Sequence, residues 1–125
     1  MVDHIRFVGD ASHEEINRLY AQSAVAVVPS LYEGFCLLAV EAMAASIPLV
    51  SSDGGALAEV VADGGLVVPA GDSYALAEAL ERVLTDPTLA RTLGDKGRQR
   101  VERHFCWSVC AQQMVAQYRA RIDAC

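Results

Sequence analysis

Ala24-Val25-Ala26-Val27-Val28-Pro29-Ser30-Leu31-Tyr32-Glu33-Gly34-Phe35-Cys36-Leu37-Leu38-Ala39-Val40-Glu41-Ala42-Met43-Ala44-Ala45-Ser46-Ile47-Pro48-Leu49-Val50-Ser51 is the stretch that decides the fold class. Its opening apolar run, stopped by Pro29-Ser30, fits a central parallel strand covered on both faces. The spacing then predicts a helix over 35–45, apolar on nearly every side, and a second strand over 48–51. Strand, loop, helix, strand without a hairpin turn is the grammar of an open parallel sheet with right-handed crossovers.

Working outward, Ile5-Arg6-Phe7-Val8 before Gly9 reads as a further short strand. Ser12-His13-Glu14-Glu15 is a capping box that starts a helix whose Ile16, Leu19 and Tyr20 share one face, expected to be buried. Downstream, Gly54-Gly55 marks a loop, 56–61 a short helix and Leu66-Val67-Val68 another strand. Asp72 or Ser73 caps a helix bearing Leu76, Ala79, Leu80 and Val83. Pro87 suits the first turn of the next helix, in which Gly94 and Gly97 are weak points. A closing helix spans about 107–122. The expectation is an α/β fold: a partial Rossmann-like parallel sheet of about four strands, with flanking helices and a helical C-terminal end.

The chain has 125 residues, a length that suits one domain, and 53% of them are hydrophobic, enough to build a core. No apolar run approaches the roughly 18 to 20 residues of a membrane span, and the first residues lack a signal-peptide pattern. A cytoplasmic location is the expectation. The net charge of −6 argues against a general polyanion binder, and no nucleic-acid partner is expected. Charge is uneven: only Arg6 and Arg18 occur before Arg82, while Lys96, Arg98, Arg100 and Arg103 cluster later. That cluster lacks interleaved aromatics and is interrupted by Asp95 and Glu102, which suits a solvated helix face. Cys36, Cys106, Cys110 and Cys125 form no C-x-x-C pair and no zinc spacing, so they read as thiols and no metal is expected.

In parallel sheets, ligands bind beyond the carboxyl ends of the strands. The turn over 29–36 is the informative one. Glu33 and Glu41 are eight residues apart, about 12 Å on an ideal helix, comparable to the reach from hexose to ribose in a nucleotide-sugar. Between them lie the amides of Gly34, Phe35, Cys36 and Leu37 at a helix N-terminus, where orphan N–H groups and the dipole favour phosphate. The alternative is structural, with Glu33 stabilising the helix start and Glu41 paired with Arg6 or Arg18.

The string Pro29-Ser30-x-x-Glu33-Gly34-Phe35-x-Leu37-x-x-x-Glu41-Ala42-Met43-Ala44-Ala45-x-x-Pro48 resembles the E-x7-E signature of retaining GT-B glycosyltransferases. It is similar in particular to the glycosyl transferases group 1 family. Phe7-Val8-Gly9, Gly55-x-x-x-Glu59-Val60-Val61, Gly65-Leu66-Val67-Val68-Pro69-x-x-Asp72, Leu93-Gly94-x-x-Gly97-Arg98 and Phe105-x-Trp107 extend the resemblance over nearly the whole chain. The resemblance implies a nucleotide-sugar substrate, UDP-, GDP- or ADP-linked, with no further cofactor. It implies that Glu33 bonds the donor sugar and acts as the catalytic, electrostatic partner of an oxocarbenium-like transition state. Glu41 would take the ribose hydroxyls, the amides of Gly34, Phe35, Cys36 and Leu37 would meet sugar and diphosphate, and Ser30 would sit near the nucleotide. Transfer would proceed on the front face with retention of configuration.

Three departures stand out against that family. Cys36 and Ser46 occupy positions where it usually has glycine, and the Cys36 side chain is expected to crowd the phosphate. The Arg and Lys with which the family neutralises the diphosphate have no counterpart in this chain. Residues 1–125 therefore read as a C-terminal donor-binding domain incomplete at its N-terminus, with 107–122 as the closing helix. The acceptor domain would come from a missing N-terminal region or a partner chain. By itself the chain is expected to be inactive as a glycosyltransferase, and the uncovered closing helix points to homo-oligomerisation or poor solubility. The alternatives are a non-catalytic nucleotide-binding α/β module or an interaction module.

Overall fold

A computed structural model describes residues 2–125. The chain folds as α1 (His13–Gln22), β1 (Ala26–Val28), α2 (Leu37–Ala44), β2 (Leu49–Ser52), α3 (Leu57–Val61), β3 (Leu66–Val68), α4 (Ser73–Thr85), α5 (Pro87–His104) and α6 (Trp107–Asp123), with single 3-10 turns at Val2–His4 and Ala62–Gly64. The sheet is parallel in the order β1-β2-β3. Ala26, Val27 and Val28 face Leu49, Val50 and Ser51, and Val50, Ser51 and Ser52 face Leu66, Val67 and Val68.

β2 is the central strand, and all four of its residues are buried. Because strand side chains alternate, Leu49 and Val50 feed opposite faces. Leu49 joins Ala39, Ala42, Met43, Leu57 and Val61 in a core under α2 and α3. Val50 joins Ala79, Val83 and Leu93 in a second core under α4 and α5. Met43, Leu49 and Leu57 are wholly excluded from solvent, each contributing roughly 1.5 to 3 kcal/mol of hydrophobic stabilisation.

The capping signals in the sequence act as read. The Glu15 amide donates to Ser12 Oγ at 3.2 Å, and the Ser12 amide to Glu15 Oε2 at 3.1 Å. Asp72 caps α4 through the Ala75 amide at 2.9 Å, and Pro87 opens α5.

Several expectations are corrected. The sheet has three strands among the described residues, because Ile5-Arg6-Phe7-Val8 forms no strand and Phe7 is 92% exposed. A short apolar segment holds a strand conformation only when a neighbour supplies a ladder and a face to cover. β1 is an edge strand instead of a central one, with Val27 39% exposed. The apolar face of α1 is not fully buried: Ile16 and Tyr20 are half-covered and Leu19 is exposed. Gly94 and Gly97 are contact points within one continuous α5, not weak points. A Cβ on Gly94 would run into the Ser46 carbonyl oxygen, and one on Gly97 would lie 3.0 Å from the Gly64 carbonyl and 3.1 Å from Met43 Cγ.

α6 leaves the body of the fold. It buries no residue, and Trp107, Met114, Val115, Tyr118 and Ile122 are all exposed. No helix among the described residues is long and apolar enough to cross a membrane.

Candidate functional site

The loops after β1 and β2 meet at the carboxyl ends of the strands. Gly55 lies in the left-handed region at φ 62° and forms a parallel bridge with Glu33, and the Ala56 amide donates to the Glu33 carbonyl at 2.9 Å. A Cβ on Gly54 would meet the carbonyl oxygens of Ser30 and Leu31 at 2.6 Å, so only glycine lets the two loops approach this closely. Ser52, buried at the end of β2, donates its hydroxyl to the Ser30 carbonyl. The backbone that carries Glu33 is thereby tied to the central strand.

Ser30 Oγ donates to Glu33 Oε1 at 2.8 Å, a charge-assisted bond that orients a half-buried carboxylate. Glu41 is exposed on α2. Its hydrogen-bond partner is the Tyr20 hydroxyl, 3.5 Å from Oε2. The structural alternative that paired Glu41 with Arg6 or Arg18 finds no support, because among the described residues neither acid makes an ion pair with a base. The Tyr20 phenol is pushed above its usual range by burial first, then by the charge and hydrogen bond of Glu41 and by the Cys36 thiol.

α2 begins at Leu37, two residues later than the spacing predicts. Glu33 therefore stands outside the helix, and the ideal-helix separation does not describe the pair. Gly34, Phe35 and Cys36 form the lead-in, and Leu37 is the first helical residue. The amides of all four make no hydrogen bond among the described residues. α2 is also not buried all round: Leu37 is 67% exposed, and Leu38 and Glu41 share its open side. Phe35 turns the other way, meeting Phe105 edge to face with ring centroids 5.5 Å apart.

Cys36 adopts φ 72° and ψ 85°, the left-handed region in which glycine carries no steric penalty. Its side chain is buried in the core with Val28 and Ala39 and does not crowd the open side of the loop, contrary to expectation. Ser46, the other departure, sits at φ 59° just past α2. The Ser46 amide donates to the Met43 carbonyl at 3.0 Å and the Ile47 amide to the Ala42 carbonyl at 3.1 Å, the pairing of a Schellman motif.

Around this centre lie two hollows besides one of about 360 Å³ that is lined by Gly34 and Phe35 together with Glu59, Arg100 and Phe105. One of about 180 Å³ opens at the strand ends between Pro29, Ser52, Val68, Pro69 and Asp72. The other, about 280 Å³, runs along the free edge of β1 between Tyr20 and Leu38. Sequence reading missed Ser52 and Tyr20. Ser52 carries a signal in retrospect, as a hydroxyl at a strand end beside a glycine pair. Tyr20 carries none beyond its place on an apolar face. The basic cluster is largely occupied: Lys96 lies 4.0 Å from Asp63, Arg98 bonds Glu102 at 3.0 Å, and Arg100 donates to the carbonyls of Val60 at 2.7 Å and Glu59 at 2.6 Å. Among the described residues no group of His, Cys, Asp and Glu has metal-binding geometry, and all four cysteines are free thiols.

A parallel α/β sheet with this acid-flanked loop and helix at its carboxyl ends matches the C-terminal part of a GT-B glycosyltransferase fold. The solved structure of sucrose-phosphate synthase from Thermosynechococcus elongatus superposes with a TM-score of 0.83 at 44% identity, covering 98% of this chain and 31% of that one. The C-terminal domain of a glycosyl transferase group 1 family protein from Francisella tularensis gives 0.71 at 28% identity, over 82% of this chain and 53% of that one. The sequence model of the family described as Glycosyl transferases group 1 matches residues 1–100, and the chain belongs to that family. The MMP alpha-(1->4)-mannosyltransferase of Mycolicibacterium hassiacum is 49% identical over 121 residues, 91% of this chain and 29% of that protein. A glycogen synthase of Mycobacterium tuberculosis is 40% identical over 117 residues, 92% of this chain and 28% of that protein. The chain spans less than a third of the length of these two curated relatives.

Proposed function

We propose that this chain is the donor-binding portion of a retaining glycosyltransferase that takes a nucleotide-sugar and needs no cofactor. The observation that carries the reading is the pairing of two acids around a loop and helix start with open amides: Glu33, oriented by Ser30, and Glu41, held by Tyr20. Two carboxylates that lack cations are suited to accept hydroxyl donors. The intervening amides of Gly34, Phe35, Cys36 and Leu37 supply the partial positive charge that a diphosphate requires.

In this reading Glu33 accepts from hydroxyls of the sugar and stabilises positive charge as the glycosidic bond to the diphosphate breaks. Glu41 accepts from the ribose diol, and Ser30 keeps Glu33 facing the sugar. The open amides stabilise the negative charge that grows on the departing phosphate. On the front face, that phosphate takes the acceptor proton. A diphosphate beside two carboxylates needs cations to neutralise it, and no Lys or Arg lies between Arg18 and Arg82 in the sequence. We assign those cations and the acceptor site to a preceding region or a partner chain, against which the uncovered stripe of α6 would pack.

Saturation-transfer NMR of the chain with UDP-, GDP- and ADP-sugars tests the reading. Binding to one nucleotide class that is lost in Glu41→Ala supports it. Binding of every nucleotide equally by wild type and Glu41→Ala removes the donor assignment. Sugar transfer by this chain alone would contradict the division of the site between regions.

A further inference from the structure

We propose that Tyr20 is a positioning residue for Glu41: its hydroxyl, delivered from α1, holds one carboxylate oxygen against α2 and leaves the other for a vicinal diol of the ligand. This rests on the reading of Glu41 as the ribose acceptor and adds to it a residue outside the E-x7-E segment.

The geometry is specific. The Tyr20 hydroxyl lies 3.4 Å from the Leu38 carbonyl and 3.5 Å from Glu41 Oε2, a three-centre arrangement in which neither bond is at full strength. Leu38 and Glu41 are three residues apart, so they lie on the same side of α2. The Tyr20 ring packs against the core that contains Met43 and Leu49, which fixes the direction of the hydroxyl. Glu41 is by contrast an exposed, rotamer-rich side chain. Ordering such a side chain opposes binding, and a pre-set bond reduces that cost. Glu41 Oε1 has no hydrogen-bond partner among the described residues.

The phenol is suited to this task because it stays a neutral donor. Burial, the Glu41 carboxylate and the Cys36 thiol all raise its ionisation point. Tyr20 is also distinguishable by experiment: Tyr32, Tyr74 and Tyr118 are all well exposed, whereas Tyr20 is half-buried. A purely structural role, in which the ring secures α1 to the core, would be fully served by phenylalanine.

The test uses Tyr20→Phe, Glu41→Gln and wild type in parallel. Tyr20→Phe is expected to weaken nucleotide-sugar binding roughly three- to tenfold, as for loss of one hydrogen bond of ordinary strength, while the melting point moves little. In Glu41→Gln, the tyrosine that titrates last, followed by carbon NMR of labelled tyrosine, should titrate at lower pH. Unchanged binding by Tyr20→Phe overturns the proposal, and so does an unchanged Tyr20 titration in Glu41→Gln. If wild type binds no nucleotide-sugar while the titration still moves, the contact is real but structural. The donor reading then fails in this chain and the positioning role with it. If Tyr20→Phe unfolds, Tyr20 serves the fold, and retained binding by a Glu41→Asp variant, whose shorter arm cannot reach the phenol, also overturns positioning.

Discussion

Replacing Gly94 by alanine puts two physical rules in opposition. In an exposed helix interior the change stabilises by about 1 kcal/mol, because alanine loses less backbone entropy on folding. At Gly94 the added methyl would fall inside the van der Waals shell of the Ser46 carbonyl oxygen, with the carbonyl carbon at 3.1 Å. Neither partner is the end of a flexible side chain. The Ser46 peptide is held by its own amide bond to Met43 and by the next one from Ile47 to Ala42. Relief requires α5 to move off the end of α2, disturbing the packing of Leu93 and Val101 on their cores. Overpacking of this kind costs typically 1 to 3 kcal/mol, and an obstacle made of backbone belongs at the upper end. The net expectation is a loss of about 2 kcal/mol, or roughly 6 to 10 °C in melting temperature for a domain of this size. Urea and thermal unfolding followed by circular dichroism measure it. A Gly94→Ala protein as stable as wild type, or more so, would refute the close approach of α5 to the end of α2.

Other substitutions test the same physical account. Ser46→Gly should stabilise by about 0.5 to 1 kcal/mol, because the Schellman position at φ 59° is strained for serine; Cys36→Gly should come out near neutral, since relief at φ 72° is offset by the lost burial of the thiol, and chemical denaturation separates the two. Arg100→Ala should cost about 2 kcal/mol by releasing the carbonyls of Glu59 and Val60 and uncovering the Phe105 ring 5.7 Å away, with Arg100→Lys restoring little because an ammonium lacks the fork geometry. Gly34→Ala should leave the melting point within about 1 °C, since no atom lies within 4 Å of the added methyl; under the donor-site reading it weakens nucleotide-sugar binding, and equal binding in an NMR titration counts against approach of the loop to the ligand. Tyr20 sets an alkaline limit. Its folded pKa is raised, so the stability it contributes is fully present below the ordinary tyrosine value of about 10 and is lost as pH climbs through the folded value. Melting curves collected upward from pH 9 should therefore fall less steeply for Tyr20→Phe than for wild type.

Much of the fold was legible because its signals are local. The apolar run ending at Pro29-Ser30, the capping residues Ser12 and Asp72, and the Pro87 start each act within a turn or two of the chain. The segment over 5–8 was misread for the complementary reason. Its composition suits a strand, but strand formation depends on a neighbour, and a neighbour is not encoded in four residues. The same gap explains β1, whose sequence calls for cover on both sides although its outer edge is open.

The candidate site divides along the same line. Spacing drew attention to Glu33 and Glu41, two acids in an otherwise uncharged stretch, and the resemblance to the E-x7-E signature supplied the roles expected of them. The sequence also marked Cys36 and Ser46 as departures, and both prove to occupy left-handed positions. What only the tertiary structure decided is which groups hold those acids and where the helix begins. Ser52 reaches Ser30 across 22 positions of the chain, Tyr20 reaches Glu41 across 21, and Gly94 meets Ser46 across 48. Contacts at that range depend on how the sheet and helices pack, which leaves no period or spacing in the sequence to read. The sequence by itself determined the chemical character of the loop after β1. The packing of β2 against that loop and of α1 against α2 determined what holds Glu33 and Glu41.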